Sequence, residues 1–392
     1  MPTLKLPPLS LYVHIPWCVR KCPYCDFNSH STQSSAQNGG IPEQEYLKQL
    51  LLDMNFEQGN AQNRKLTSIF FGGGTPSLFS DGTIATIIEA AEKTFGFEDD
   101  IEITLEANPG TAEQSKFSGF FNGGVNRLSL GVQSFNPKHL NVLGRIHSSD
   151  EAKNAIAMAK SAGFRRINID LMHGLPEQTL EDALFDIETA VSLGPDHLSW
   201  YQLTIEPNTE FFSAPPRLPE DDNLADIQEA GYERINQLGF HQYEVSAYAK
   251  STSARAKHNL NYWQFGDYIG VGAGSHSKIT DLNTGHIRRY WKTRLPTDYM
   301  KRVASQYRNP CTAGEKVIAS SELSLEFFMN ALRLTQGVTI QTYESFTGLP
   351  FSNLDLSELI QKELLEVNNT IVRPTHLGTR YLNNVLDHFL VT

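Results

Sequence analysis

Three of the four cysteines in the chain, Cys18, Cys22 and Cys25, fall within eight residues in the order C-x3-C-x2-C. Thiolates are soft donors that suit zinc or an iron–sulfur cluster. A structural zinc site closes its tetrahedron with four ligands, and here one group of three has no second CxxC to pair with. His14 or His30 could complete such a site. A cubane [4Fe–4S] cluster on three thiolates instead leaves one iron open to a small molecule. The lack of a fourth neighbouring cysteine then becomes a functional feature. Cys311 lies far along the chain and is expected to take no part.

A ligand that fits an open iron is S-adenosylmethionine (SAM), whose amino and carboxylate groups can chelate it. The stretch "FFGGGTPS" agrees, because Gly72, Gly73 and Gly74 follow an apolar run. Glycines let backbone groups approach a ligand closely and hold the charged end of an amino acid. A third candidate is "HNLNYW", His258 to Trp263. His258 could ligate a haem iron while Tyr262 and Trp263 cover a porphyrin face. The plainer reading is a satisfied core histidine beside core aromatics, and His276 in "GAGSHS" is the next candidate ligand. Residues 286–302 hold six Lys+Arg and one Asp, which could attract haem propionates or form a solvated face.

These residues need a frame. Six short apolar runs, 9–16, 67–74, 101–109, 126–135, 166–176 and 197–207, alternate with helical periodicity such as "DGTIATIIEAAEKTF". That alternation predicts an α/β fold of βα units on a parallel sheet, curved into a barrel or open and doubly wound. The chemistry-bearing residues sit where these runs end: the cysteines, the glycines, Glu106, Gln133, Asp170, His173 and Glu206. Barrels place active-site groups at these strand ends. Singly, each fits a cap, a turn or a buried polar network at the barrel mouth. Residues 208–225, rich in proline and acids, read as an exposed connection. Residues 311–392 run helix, helix, helix, hairpin, helix, an order resembling a winged helix, yet with 5 Lys+Arg against 9 Asp+Glu. A winged helix that reads DNA should be basic, so this one is expected to pack or bind a partner.

The whole chain of 392 residues, 40% hydrophobic with a net charge of −11, has an ordinary soluble composition. That charge does not favour nucleic acid or an anionic membrane. No apolar run is long enough to span a bilayer, and no signal peptide is evident. The expected compartment is the reducing cytosol, where clustered thiols bind metal or do redox work.

The segment "CVRKCPYC", with Tyr24 before the last cysteine, resembles the signature of the radical SAM superfamily. Together "YVHIPWCVRKCPYCDF", "GGGTPS", "EANPG", "GVQSF", "LGRIH", "DLMHGLP", "WYQLTIEPNT" and "HNLNYW" resemble its oxygen-independent coproporphyrinogen oxidase group. Within that group they match the haem-chaperone branch, from about residue 9 to the C-terminus. The resemblance implies a partial (β/α)6 radical SAM barrel followed by a small, mainly helical, winged-helix-like domain. We divide the chain into a core at 1–240, a connecting α/β region at 241–310 and the C-terminal domain at 311–392. It also implies that Cys18, Cys22 and Cys25 hold the cluster and that Tyr12, Gly73 and Glu106 contact its SAM. Tyr24, Gly74, Thr75, Gln133, Arg145 and Asp170 match positions that hold a second SAM in the oxidase relative. His258 matches a haem-linked histidine. Two departures separate the chain from the oxidase: Phe27 replaces a further cysteine, and only eleven residues precede Tyr12. The expected activity is haem delivery to apo-haemoproteins, those of respiration among them, and a cargo carrier of this kind could dimerise. The alternatives are a coproporphyrinogen III dehydrogenase and a zinc-binding structural protein.

Overall fold

The computed structural model describes residues 2–32, 40–110, 115–302 and 309–390. The six predicted strands form as β1 (Leu9–Ile15), β2 (Leu66–Gly73), β3 (Phe97–Ala107), β4 (Arg127–Gln133), β5 (Arg166–His173) and β6 (His197–Gln202). They pair in parallel in chain order. Between them run α1 (Glu43–Glu57), α2 (Asp81–Phe95), α3 (Phe117–Asn122), α4 (Ser149–Ser161) and α5 (Leu180–Ser192). The strands are buried along most of their length because helices cover one face and the barrel interior the other. Local chemistry sets the helix starts. Ser148 with Glu151 and Thr179 with Asp182 form reciprocal caps that satisfy the first free amides of α4 and α5.

The sheet extends beyond these six strands. On one side α6 (Asp221–Gln237) leads to β7 (His241–Glu244) and β8 (Ala247–Ala249), with β8 antiparallel to β6. On the other, β9 (Asp267–Val271) lies parallel to β1. It continues antiparallel through β10 (His276–Asp281), β11 (His286–Lys292) and β12 (Thr312–Val317). The order is β12-β11-β10-β9-β1-β2-β3-β4-β5-β6-β8-β7. The described residues of 241–310 therefore flank the barrel strands on both sides, and their helix α7 (Lys257–Trp263) carries the HNLNYW motif.

The predicted connection at 208–225 is only partly exposed. Phe211 is buried among Leu143, Met172 and Leu203, because an aromatic ring gains more from that apolar cluster than from water. The last five residues of the stretch already belong to α6. Thr312–Val317, expected to open the C-terminal domain, instead pairs with β11 as an edge strand of the large sheet. The predicted helices and hairpin of the C-terminal segment begin only at Leu323, with the hairpin β14 (Leu365–Val367) and β15 (Ile371–Pro374) beside the short β13 (Val338–Thr339). Its own core holds Phe327, Phe328, Tyr343 and Val372. Phe265 and Trp263 join that core to the barrel, with the Arg333 guanidinium 4.4 Å from the centre of the Trp263 ring. Among the described residues no helix is long and apolar enough to cross a membrane.

Candidate functional site at the strand ends

β1 runs directly into the cysteine loop. Trp17–Cys18 pairs in parallel with His30–Ser31, and His30 N donates to Pro16 O at 2.7 Å, so the two ends of the loop are clamped together. The glycine run of β2 fixes the other side. Gly74 N and Thr75 N donate to Ile15 O and Trp17 O at 2.8 and 2.7 Å. A Cβ on Gly74 would stand 2.4 Å from the Trp17 carbonyl oxygen, so only glycine lets β2 lie this close to the backbone entering Cys18. From below, Phe211 N donates to Pro23 O at 3.0 Å.

Cys18 is buried, and Cys22 and Cys25 are half-buried. Burial pushes the Cys18 thiol up to about 11 and lifts Cys25 above its ordinary value, while the Ser29 hydroxyl pulls both partly back. Such thiols bind metal by losing protons, so loading favours higher pH. Among the described residues no three His, Cys, Asp or Glu side chains converge closely enough to hold a single ion. The three thiols line one cavity instead.

That cavity, about 150 Å³, gathers Cys18, Cys22, Cys25, Tyr24, Gly73, Gly74, Thr75, Glu106, Gln133, Arg145 and Asp170. Of the predicted site residues, Tyr12, Gly72, His173, Glu206 and His258 lie outside it. Its polar residues are held in a network. Arg145 donates through one terminal nitrogen to Asn108 Oδ1 and Gly131 O, both at 2.6 Å, and its other terminal nitrogen lies 3.6 Å from Cys22 Sγ. Arg145 Nε is buried with no partner among the described residues. The β4–β5 register shifts between Gly131 and Gln133, and Gln133 takes φ 70°. A bulge of this kind re-aims a side chain at a barrel rim. Gln133 Oε1 accepts from the Tyr201 hydroxyl at 2.7 Å. Asp170 accepts from Ser129 Oγ and Asn168 Nδ2 at 3.1 and 2.7 Å.

Glu106 is poorly satisfied by comparison. Among the described residues its carboxylate accepts only from Gly73 N, at 3.2 Å. Burial, then the nearby Asp170, pushes it up to about 8, and burial also raises Asp170. Two half-buried carboxyls with unused acceptor capacity suit the hydroxyls or ammonium group of a ligand. Asn108, Ser129 and Tyr201 were not singled out from sequence. Asn108 and Tyr201 lie inside the quoted motifs "EANPG" and "WYQLTIEPNT", which was the available signal.

A second cavity, about 580 Å³, shares Phe27, Gly73 and Glu106 with the first. Tyr12 lines it, with its hydroxyl 2.8 Å from His14 Nδ1 and its ring stacked on Phe70. His258 lines neither cavity. Its ring stacks on Phe70 at 4.3 Å, and its Nδ1 lies 2.8 Å from Glu102 Oε1. The two aromatics of the motif part company, since consecutive helical residues point about 100° apart. Tyr262 faces the cavity, whereas Trp263 packs on the C-terminal core. Cys311 is buried away from both cavities, its sulfur accepting from Gln49 Nε2 at 3.2 Å. His173 is buried against Trp200.

Residues 12–190 match the radical SAM superfamily, and residues 319–381 match the HemN C-terminal domain. In fold the chain is similar to Escherichia coli coproporphyrinogen III oxidase (HemN), a radical SAM enzyme. The TM-score is 0.79 and the identity 23%, covering 98% of this chain and 90% of that one. A three-cysteine loop at the head of a parallel barrel, with these matches, makes the chain a radical SAM protein. It is 49% identical to the heme chaperone HemW of Haemophilus influenzae, over 98% of this chain and 99% of the relative. It is 46% identical to HemW of Escherichia coli, over 99% of each. Danio rerio radical S-adenosyl methionine domain-containing protein 1, mitochondrial, is 35% identical over 97% of this chain and 87% of its own length. The chain belongs to the HemW family.

Proposed function

We propose that this protein is a haem chaperone. Working in the cytosol, it carries a [4Fe–4S] cluster on Cys18, Cys22 and Cys25, binds SAM beside that cluster, and passes haem to apo-haemoproteins, respiratory ones among them. The observation that carries the cofactor reading is the single cavity in which three thiols meet Gly73, Glu106, Arg145 and Asp170. The donor set fits: three soft ligands, an under-satisfied carboxyl for ribose hydroxyls, and an arginine with a spare donor for a carboxylate. Bound together, cluster and SAM supply one-electron cleavage of a carbon–sulfur bond. The chain's own residues bind, orient and screen them from water. Two HemW relatives at 46–49% identity over nearly full length support the chaperone reading. So does Phe27, which stands 63% exposed where the oxidase group has a further cysteine.

Anaerobic reconstitution with iron and sulfide, followed by a haem titration, tests this reading. Stoichiometric haem uptake with no protoporphyrinogen IX formed from coproporphyrinogen III, SAM and a reductant is the expected result. Decarboxylation without haem uptake would instead make the protein an oxidase, and a colourless zinc protein would overturn both.

A further inference from the structure

Of the motif "LGRIH", Arg145 enters the thiol cavity, whereas His147 lines neither cavity. His147 is 5% exposed and directly precedes Ser148, which caps α4 with Glu151, so its backbone is fixed. Burial, then the Arg145 charge, lowers its pKa to about 4, which leaves a neutral imidazole at pH 7. Its Nε2 lies 3.1 Å from Val132 O, and because a carbonyl only accepts, Nε2 carries the proton. Its Nδ1 is buried with no partner among the described residues. Among those residues the ring therefore makes one hydrogen bond, and that bond goes to the end of β4.

Val132 is the residue that the sheet passes over. Against β5, Gly131 pairs with Asp170 and Gln133 with Leu171, so Val132 has no ladder partner there. It is fully buried, and a buried carbonyl outside the ladder needs a donor from elsewhere. The chain is anchored on both sides of it. Upstream, Arg145 donates to Gly131 O at 2.6 Å. Downstream, Asp186 on α5 accepts from Ser134 Oγ and Phe135 N, both at 2.7 Å. Between these anchors Gln133 takes φ 70°, a conformation costly for any residue but glycine. The outcome is a side chain turned into the thiol cavity. Gln133 Oε1 accepts from Tyr201, and its amide nitrogen has no partner among the described residues. Without the extra residue the strand would run on by one position, and a one-residue slip sends a side chain to the opposite face.

Resting on the reading of the thiol cavity as the SAM site, we propose that His147 is a positioning residue for SAM. It holds the bulge at Val132 and so keeps the Gln133 amide nitrogen aimed at an acceptor atom of the bound ligand.

The test is calorimetric titration of SAM into the full-length, cluster-loaded protein and its variants. His147→Leu keeps the bulk of the ring and removes the donor. It is expected to weaken SAM about tenfold, the loss of one ligand hydrogen bond, at wild-type iron content. Gln133→Ala is expected to lose the same factor, and the double variant no more than either single one, because both break the same contact. His147→Gln returns an N–H donor and is expected to restore the affinity. Wild-type affinity in His147→Leu overturns the proposal, as does an additive loss in the double variant. An equal loss in His147→Gln overturns it too, and that variant carries the test if the leucine one fails to fold. A crystal structure of the SAM-free His147→Leu protein is expected to show Gln133 withdrawn from the cavity. An unmoved Gln133 overturns the clamp whether or not SAM binds. Failure of the wild-type protein to bind SAM overturns the reading of the cavity instead.

Discussion

The Glu102 carboxylate and the His258 imidazole meet at 2.8 Å across 156 residues of chain. The same carboxylate accepts from the backbone amides of Lys257 and His258 at 2.9 and 3.2 Å, and from Arg127 at 3.2 Å. A buried acid on β3 thus holds the first turn of α7, and with it the HNLNYW motif, against the barrel.

Glu102 should therefore matter to stability. Burial alone would raise its pKa, but His258, Arg127 and the Lys257 amide hold it at about 2. A depressed carboxyl contributes stability above its unfolded value and loses it as pH falls, here between about 4.5 and 2. His258→Ala is expected to cost about 1.5–3 kcal/mol in urea denaturation at pH 7. Glu102→Gln should flatten the acid limb of the stability curve, and an unaltered limb would refute the assignment.

Glu106 should behave in the opposite sense. Its raised pKa means that stability is full below about 4.5 and is lost as pH rises toward about 8. The ligand-free protein is expected to melt at lower temperature at pH 8.5 than at pH 5, and Glu106→Gln to reduce that difference. Calorimetric SAM titration should show Glu106→Ala weakening binding by about 1.5–3 kcal/mol. Wild-type SAM affinity in that variant would remove Glu106 from the site.

Cluster loading should depend on three thiols only. Cys18→Ser, Cys22→Ser and Cys25→Ser are each expected to lose the broad visible absorbance of the reconstituted protein. Cys311→Ser is expected to keep it, because that sulfur is buried against Gln49. Loss of the cluster in the Cys311 variant would break the three-ligand arrangement.

The approach of β2 to the cysteine loop should tolerate no added carbon at Gly74. Gly74→Ala places a Cβ 2.4 Å from Trp17 O and should cost about 1–3 kcal/mol through backbone displacement. Reduced iron content after reconstitution, alongside lower stability, is the expected pair of readouts. An alanine variant with wild-type iron content would show that the loop has room to spare.

The barrel strands were legible because each is an apolar run ended by glycine or a polar residue, a local signal. The thiol cavity was legible for the same reason, since its residues end successive strands. β9 to β12 were not. "DYIGV" is short and interrupted by glycine, and its partner β1 lies at the other end of the sequence. The contact of His258 with Glu102 was not legible either, because the two are 156 residues apart in sequence. Arg294 and His276 were visible as a basic stretch and a spare histidine. Their convergence on one cavity depends on the β10–β11 pairing and on Asn28, which donates to Ala273 O and Arg294 O at 2.9 Å.

The parallel pairing of β1 with β9 also sets an order of events during synthesis. β1 and the thiols that follow it leave the ribosome first, yet one edge of β1 stays open until Asp267–Val271 has been translated. Asn28, which anchors the loop, likewise waits for Ala273 and Arg294. The cysteine loop of a nascent chain is therefore unfinished until the sheet has closed around β1.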